Sequence, residues 1–200
     1  GENLQTLELS MDDTRSGLRI SLYYTSFPDY DLIARSAVFS NTKEDVLTIE
    51  RAMSVSLDMP YLEQRLLYLH GAWARERHVC NTPIQPGLFR IGSVRGTSSH
   101  QFNPFFALMG PESGEHRGEV FGLALVYSGN FSVEIERNYD DNLRLNMGLH
   151  PEKFEWKLEP GETFSTPEAL MVYSPDGLNG MSDRYHRFVR ECIFPPRFRH

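Results

Sequence analysis

The stretch GEVFGLALVYSGNF (residues 118–131) is apolar on both alternating faces from Phe121 to Tyr127. A strand with this composition is typical of the centre of a sheet, where other layers cover both of its faces. We therefore predict that this segment is a central strand and that it lies deep in the core.

Several other segments alternate apolar and polar residues with the two-residue period of a half-buried strand. The longest is DVLTIERAMSVSLDM (residues 45–59), in which Arg51 is the one polar residue on the apolar face. The same alternation occurs in residues 7–9, 18–24, 131–136 and 143–149. Turn-forming residues separate these segments, at 16–17, 27–31, 139–142 and 159–162. The pattern predicts a mainly β fold, a large antiparallel sandwich.

One segment has a helical period instead. In SDRYHRFVRECI (residues 182–193), apolar side chains recur at the spacing of one helix face, and Ser182 is a candidate N-cap. Pro195 and Pro196 follow, and proline cannot continue a helix. We predict one C-terminal amphipathic helix that is followed by a short basic tail.

Composition excludes several classes of function. The chain has 200 residues and a net charge of -7, so its overall field repels nucleic acid. It contains no run of about 20 apolar residues, so no membrane span is expected. Cys80 and Cys192 are too few for a disulfide framework, which favours a reducing cytoplasm. We therefore expect no nucleic-acid partner, no membrane partner and no cofactor.

Three groups of residues could carry chemistry. Ser98, Ser99 and His100 are adjacent in RGTSSHQFNPFFAL (residues 95–108), but neighbours in sequence rarely reach the geometry of a nucleophile and its base. With Asn103-Pro104 favouring a turn, this segment is read as a loop fixed by side-chain hydrogen bonds. The acidic pairs at 12–13, 29/31 and 140–141 lie among turn residues and are read as structural or solvated. The seven histidines show no metal-ligand spacing, so no metal site is predicted.

HGAWARERHV (residues 70–79) leaves two interpretations open. Trp73 with Arg75 and Arg77 could stack on a sugar ring and hold its hydroxyl groups. Equally, the tryptophan and the charged side chains could join this domain to another one, and this second interpretation is favoured for an isolated motif.

Five blocks occur in order along the chain: LHGAWARER, RGTSSHQFNPFFAL, EVFGLALVYSGNF, GLHPEKFEWKLEPGETFSTPEALMVYS and GLNGMSDRYHRFVR. Together they resemble the N-terminal region of the glycoside hydrolase family 36 α-galactosidases, over residues 7–199. The resemblance implies a galactose mutarotase-like β-supersandwich, which in the complete enzymes precedes a (β/α)8 barrel. It implies one domain over residues 1–194, incomplete at its N-terminus, and a linker over residues 195–200 that leads into the barrel.

The resemblance also implies the function. Members of the family hydrolyse terminal α-galactosides, of the melibiose and raffinose type, with retention, using two aspartates of the barrel. No catalytic residue is therefore expected in this chain, which alone should be inactive. Its expected role is that of a scaffold for the barrel and for contacts in a homo-oligomer. The candidates for residues that face the barrel or another subunit are Trp73, Arg75, Arg77, Arg95, His100, Asn103 and Asn130.

Two alternatives of other classes remain open. The chain could be a stand-alone carbohydrate-binding module in which Trp73 and Trp156 stack on sugars. It could also be a mutarotase-like sugar epimerase that uses a histidine acid and a carboxylate base.

Overall fold

The computed structural model describes residues 4–195 and residue 197. In chain order the strands are β1 (Gln5–Asp13), β2 (Leu18–Phe27), β3 (Leu32–Asn41), β4 (Leu47–Ile49), β5 (Met53–Pro60), β6 (Arg65–Ala72), β7 (Arg75–Pro83), β8 (Gly87–Ser93), β9 (Phe102–Met109), β10 (Val120–Leu125), β11 (Phe131–Arg137), β12 (Asn142–Leu149), β13 (Trp156–Leu158), β14 (Thr163–Ser165) and β15 (Ala169–Ser174). A short 3-10 turn (Pro28–Tyr30) lies between β2 and β3. Helix α1 (Gly177–Phe188) follows β15 and continues into a π-helical turn (Val189–Ile193).

The strands form two main antiparallel sheets. The larger sheet has nine strands in the order β1-β2-β3-β15-β10-β9-β6-β7, with β14 also paired to β3. The smaller has four strands in the order β5-β12-β11-β8, and β13 pairs with β4 in a small third sheet. The prediction of an antiparallel sandwich with one C-terminal helix is confirmed for the residues that the structure describes.

Two apolar layers hold the elements together. Phe106, Leu123 and Val133 belong to the main core, which lies between the two large sheets. On the opposite face of the nine-stranded sheet, α1 packs through Met181 and Phe188. The strand β10 is central, with neighbours on both edges and both faces covered, as its uninterrupted apolar run predicts.

The predicted strand over residues 45–59 is wrong in its continuity. The chain instead forms β4 and β5, which belong to different sheets, with a break at residues 50–52. Ala52 in this break is fully buried, and the guanidinium group of Arg51 turns onto the carboxylate of Glu134. The polar residue that interrupted the alternation therefore marks the end of one strand.

The predicted start of the helix is also wrong. Helix α1 begins at Gly177, five residues before Ser182, so Ser182 is not the N-cap. The first amide groups of the helix donate to backbone carbonyl groups instead: Gly177 to Gly118 at 2.9 Å and Leu178 to Gly114 at 3.0 Å. Because another loop accepts these hydrogen bonds, no capping side chain is needed, and Asp176 at the N-cap makes no capping hydrogen bond although its residue type is common there.

Two further expectations differ from the structure. Asn103 and Pro104 lie inside β9, where the pairing with β6 is irregular, so the predicted turn at these residues is wrong. Proline is tolerated within a sheet at such an irregularity. The strand over residues 7–9 is present as part of β1, but its residues are exposed on both faces. Most of the predicted linker, residues 195–200, lies outside the described residues, and the boundary at residue 194 stays a prediction.

Candidate functional site

All seven candidate residues lie where the β6–β7 hairpin meets two loops, at 94–101 and 126–130. Backbone hydrogen bonds join the three segments, from Gly71 to Gln101 at 3.0 Å and from Ser98 to Ser128 at 2.7 Å. We call this region the hairpin surface, and it comprises Trp73, Arg75, Arg77, Arg95, His100, Asn103 and Asn130. The prediction that they face the barrel or another subunit is not tested by their positions.

The hairpin projects Trp73 into solvent. Ala72 pairs with Arg75, so Trp73 and Ala74 form the turn, and Trp73 is 84% exposed. The carboxylate of Glu76 accepts a hydrogen bond from the amide of Ala74 at 2.9 Å and closes the turn from one side. A large apolar side chain held in solvent on a fixed turn is typical of a contact surface.

A bulge next to the turn redirects the first residues of β7. Gly71 lies opposite this bulge, and a Cβ atom there would approach the carbonyl oxygen of Arg75 to 2.4 Å, so only glycine fits. Arg77 has φ +59°, in the left-handed region that side chains rarely adopt. Consecutive residues of a regular strand point to opposite faces. The irregular backbone instead lets Glu76 and Arg77 line the same depression.

Hydrogen bonds fix the loop at 94–101. The Asn130 carboxamide accepts from the amide of Gly96 at 2.6 Å, and the Ser93 hydroxyl donates to the carbonyl of Thr97 at 2.6 Å. The Ser99 hydroxyl accepts from the amide of Gln101 at 3.1 Å. This is the loop fixed by side chains that the sequence predicted, with Ser99 in a structural contact.

The loop and the bulge together enclose a depression that is open to solvent. Its lining consists of Glu76, Arg77, Ser98, Ser99, His100 and Asn103. Of the sequence candidates, the structure thus brings together Arg77, His100 and Asn103. Trp73, Arg75, Arg95 and Asn130 are not part of the lining. Glu76 was missed as a site residue because the bulge that turns it inward has no signal in the sequence beyond Gly71.

The depression contains one carboxyl group, that of Glu76, whereas glycoside hydrolysis requires two carboxyl groups on opposite sides of a glycosidic bond. Among the described residues, no cluster of three or more His, Cys, Asp or Glu side chains could hold a metal ion.

A second group of charges lies on the face of the four-stranded sheet that is turned away from the main core, across a cavity from β1, β2 and β3. The carboxylate of Glu134 is 5% exposed and lies 2.6 Å from Arg51 Nη2 and 3.0 Å from Arg90 Nη2. Beside it, Arg144 forms a two-point contact with Asp58 at 2.8 and 2.9 Å, which holds the pKa of Asp58 below its ordinary value. These contacts pair charges on the sheet and on the segment before β5, and only the position of Arg51 was unusual in the sequence.

The acidic residues in turns have structural partners, as predicted. The Asp13 carboxylate accepts hydrogen bonds from the Ser16 hydroxyl at 2.6 Å and from the Arg15 amide at 2.9 Å, which lower its pKa. Asp31 pairs with Arg184 of α1 at 2.8 Å, and this contact ties the helix to the nine-stranded sheet.

The architecture defines a class of protein first. A solved putative aldose 1-epimerase from Escherichia coli K12 is similar at a TM-score of 0.52 and 11% identity, over 87% of this chain and 66% of that one. A likeness at this identity concerns the fold alone. The domain is thus a galactose mutarotase-like β-sandwich, as the resemblance implied.

Sequence comparison then gives the family. The profile described as "Glycosyl hydrolase family 36 N-terminal domain" matches residues 1–159, and the profile described as "Melibiase" matches residues 163–200. The chain belongs to glycoside hydrolase family 36, as an N-terminal domain. The crystal structure of α-galactosidase AgaA from Geobacillus stearothermophilus has a TM-score of 0.97 and 43% identity, over 99% of this chain and 28% of that one.

Three curated relatives are also named α-galactosidases. The chain is 43% identical to that same AgaA over 198 residues and 40% identical to α-galactosidase 2 from Hypocrea jecorina over 196 residues. It is 40% identical to α-galactosidase Mel36A from Lactobacillus acidophilus over 198 residues. It spans 26 to 27% of the length of these relatives, about a quarter. No helix among the described residues is long and apolar enough to cross a membrane.

Proposed function

We propose that this chain is the non-catalytic N-terminal domain of a retaining α-galactosidase that hydrolyses terminal α-galactosides of the melibiose and raffinose type. Its role is to support the catalytic barrel and to contribute contacts between subunits in the cytoplasm. The relatives that support this proposal are named α-galactosidases, and the chain covers about a quarter of their length.

The single observation that carries the scaffold role is the hairpin surface. It combines Trp73, 84% exposed, with the exposed side chains of Arg75 and Arg95 on segments that are locked by hydrogen bonds. Tryptophan and arginine are the residues that most often dominate protein interfaces, and a rigid surface loses little entropy on binding. Three arginines against one glutamate also make this region basic on an acidic protein, which favours an acidic partner surface.

The test uses the complete enzyme and the 200-residue chain side by side. The complete enzyme should cleave melibiose, and the isolated chain should not, because the proposed catalytic pair belongs to the barrel. In the complete enzyme, Trp73→Ala should reduce assembly, measured by light scattering, before it alters turnover of the remaining assembled fraction. Trp156→Ala is the matched control, since Trp156 packs on Phe164 with ring centroids 5.0 Å apart and is part of a different sheet.

Two results would contradict the proposal. Cleavage of melibiose by the isolated chain would place catalysis within it. If the Trp73→Ala enzyme assembles fully but its turnover number collapses, then Trp73 contacts the substrate and not the interface.

A sugar epimerase is the second candidate, and one observation favours it. His100 and Glu76 line the same depression, and such an enzyme needs an imidazole acid and a carboxylate base at one site. Both side chains are exposed to solvent. Polarimetry of freshly dissolved α-D-galactose decides the matter: acceleration by the chain that is lost in Glu76→Gln would favour the epimerase over the scaffold.

A further inference from the structure

The depression carries more hydrogen-bonding capacity than the protein uses. Within the part of the chain that the structure describes, the guanidinium of Arg77 and the ring of His100 bond to no other residue. The hydroxyl groups of Ser98 and Ser99 also have their own hydrogens free, since Ser99 acts only as an acceptor. These are four donors around one small concave surface.

Acceptors lie among these donors. The Oδ1 atom of Asn103 is shielded from bulk water and receives no hydrogen bond from the described residues, which is a costly arrangement for an amide oxygen. Glu76 uses one carboxylate oxygen for the Ala74 amide, and its second oxygen is free. The lining thus offers both kinds of group within one depression.

The mixture of donors and acceptors selects the class of ligand. Sugar hydroxyl groups both donate and accept, so a saccharide can satisfy Arg77 and His100 on one side and the free carboxylate oxygen of Glu76 on the other. A phosphate or carboxylate could accept from Arg77 but would be repelled by Glu76. An apolar ligand would leave the whole lining unpaired.

The walls are already positioned. The Asn130 and Ser93 contacts hold the loop, and the bulge opposite Gly71 sets the backbone of Glu76 and Arg77, so binding requires little ordering of the backbone. Preorganisation of this kind increases affinity by lowering the entropic cost of binding.

We propose that the depression lined by Arg77, His100, Asn103 and Glu76 is a non-catalytic saccharide-binding site. Its lining lies within this chain, so binding can be measured on the chain alone, although the site shares Arg77, His100 and Asn103 with the surface proposed above as a contact surface. Recognition rests on hydrogen bonds in the depression, and Trp73 and Trp156 have no part in it. Because few groups contact one sugar unit, the affinity should be weak, with a Kd on the order of millimolar.

The test is a titration of the ¹⁵N-labelled 200-residue chain with raffinose, followed by amide chemical shifts. The amides of Ser98, Ser99 and His100 should move together along one saturable curve. Arg77→Ala should weaken binding about tenfold, the effect of losing a charged hydrogen bond. Arg75→Ala is the matched control, because this arginine is two residues away on the same strand but outside the lining.

Each possible outcome has a defined meaning. Saturable shifts that Arg77→Ala weakens and Arg75→Ala leaves unchanged support the site. The proposal is overturned if raffinose shifts no amide of the lining, or if both arginine variants weaken binding equally. It is also overturned if inorganic phosphate causes these shifts and raffinose does not, since the site would then bind anions. Assembly of the complete enzyme has no bearing on any of these results.

Discussion

The Nη2 atom of Arg51 lies 2.6 Å from the Oε2 atom of Glu134, whose side chain is 5% exposed. Arg90 Nη2 lies 3.0 Å from the other carboxylate oxygen, in range for an ion pair although off the direction of a hydrogen bond. A carboxylate so deep in the sheet depends on these two cations, because burial without a partner is costly.

Glu134→Gln should therefore destabilise the domain. The neutral amide keeps the shape of the side chain but cannot pair with two guanidinium groups, and the free energy of unfolding should fall by about 1–2 kcal/mol. Urea denaturation measures this change. Arg144→Ala is the control, because its pair with Asp58 is 59% and 61% exposed, and exposed pairs contribute only about 0.5 kcal/mol. If the two variants lower the free energy of unfolding equally, the buried ion pairs of Glu134 contribute no more to stability than an exposed pair does.

Asn130→Ala should release the loop at 94–101. The carboxamide of Asn130 accepts from the Gly96 amide at 2.6 Å, and loss of one such bond costs about 1 kcal/mol. The Gly96 amide should then exchange its hydrogen with solvent several times faster, as measured by NMR, because local opening becomes easier. In Asn138→Ala, which removes an acceptor for two amides in the turn before β12, stability should fall while exchange at Gly96 stays unchanged.

The same contact bears on the sequence Asn-Phe-Ser at residues 130–132. Ser132 is fully buried in β11 and the Asn130 carboxamide is occupied by Gly96. The Asn130 carboxamide thus serves the fold and Ser132 is inaccessible, so the match to a glycosylation sequon needs no functional explanation.

Much of the fold could be predicted from local periodicity. The alternation in β11 and β12 and the apolar run of β10 each reflect burial of a strand face, which composition encodes directly. Arg51 alone marks the break between β4 and β5, because the alternation resumes after it and only tertiary pairing assigns the two strands to different sheets. The start of α1 was hidden for a related reason, since its cap is the backbone of a distant loop.

The candidate site was predicted only in part. Arg77, His100 and Asn103 were recognised as unusual polar residues beside apolar strands, and the structure brings them together. Their meeting depends on the left-handed backbone at Arg77 and on the bulge at Gly71. A backbone irregularity of this kind changes which face a residue occupies, and the sequence does not report it.

Strand β1 should make this chain associate with itself. It lies at the edge of the nine-stranded sheet, and Leu7, Leu9 and Met11 are 56%, 46% and 51% exposed on one face. Unpaired edges with apolar faces are prone to pair with other chains. Sedimentation velocity should show association that increases with concentration, and Leu9→Lys should reduce it because charge on an edge strand opposes pairing.

The control for this prediction is Val46→Lys, which replaces an apolar residue of similar exposure, 49%, in a loop. This variant should associate as the unmodified chain does. A monomer at all concentrations, or equal effects of both lysines, would contradict the assignment of β1 as the surface of association.

Tyr185 should control stability at alkaline pH. The half-buried side chain lies between α1 and the nine-stranded sheet, and its hydroxyl donates to the carbonyl of Leu170 at 3.0 Å. Burial raises the pKa of this phenol well above its ordinary value, because an ionised phenolate would lose its hydration. In the unfolded chain the pKa is about 10. Above that pH the unfolded state loses a proton that the folded state keeps, so ionisation favours unfolding as the pH rises.

Tyr185→Phe separates the ionisation of Tyr185 from that of other tyrosines. Hydrogen bonds to carboxylates also raise the pKa of Tyr30, which bonds to Glu191, and of Tyr173, which bonds to Glu119. Below pH 10, loss of the hydrogen bond to Leu170 should lower the free energy of unfolding by about 1 kcal/mol. Above it, the variant should lose stability less steeply than the unmodified chain, so the two curves should converge as pH rises. Denaturant midpoints measured across this range check the slope, and parallel curves would mean that the Tyr185 phenol ionises as readily in the folded domain as in the unfolded chain.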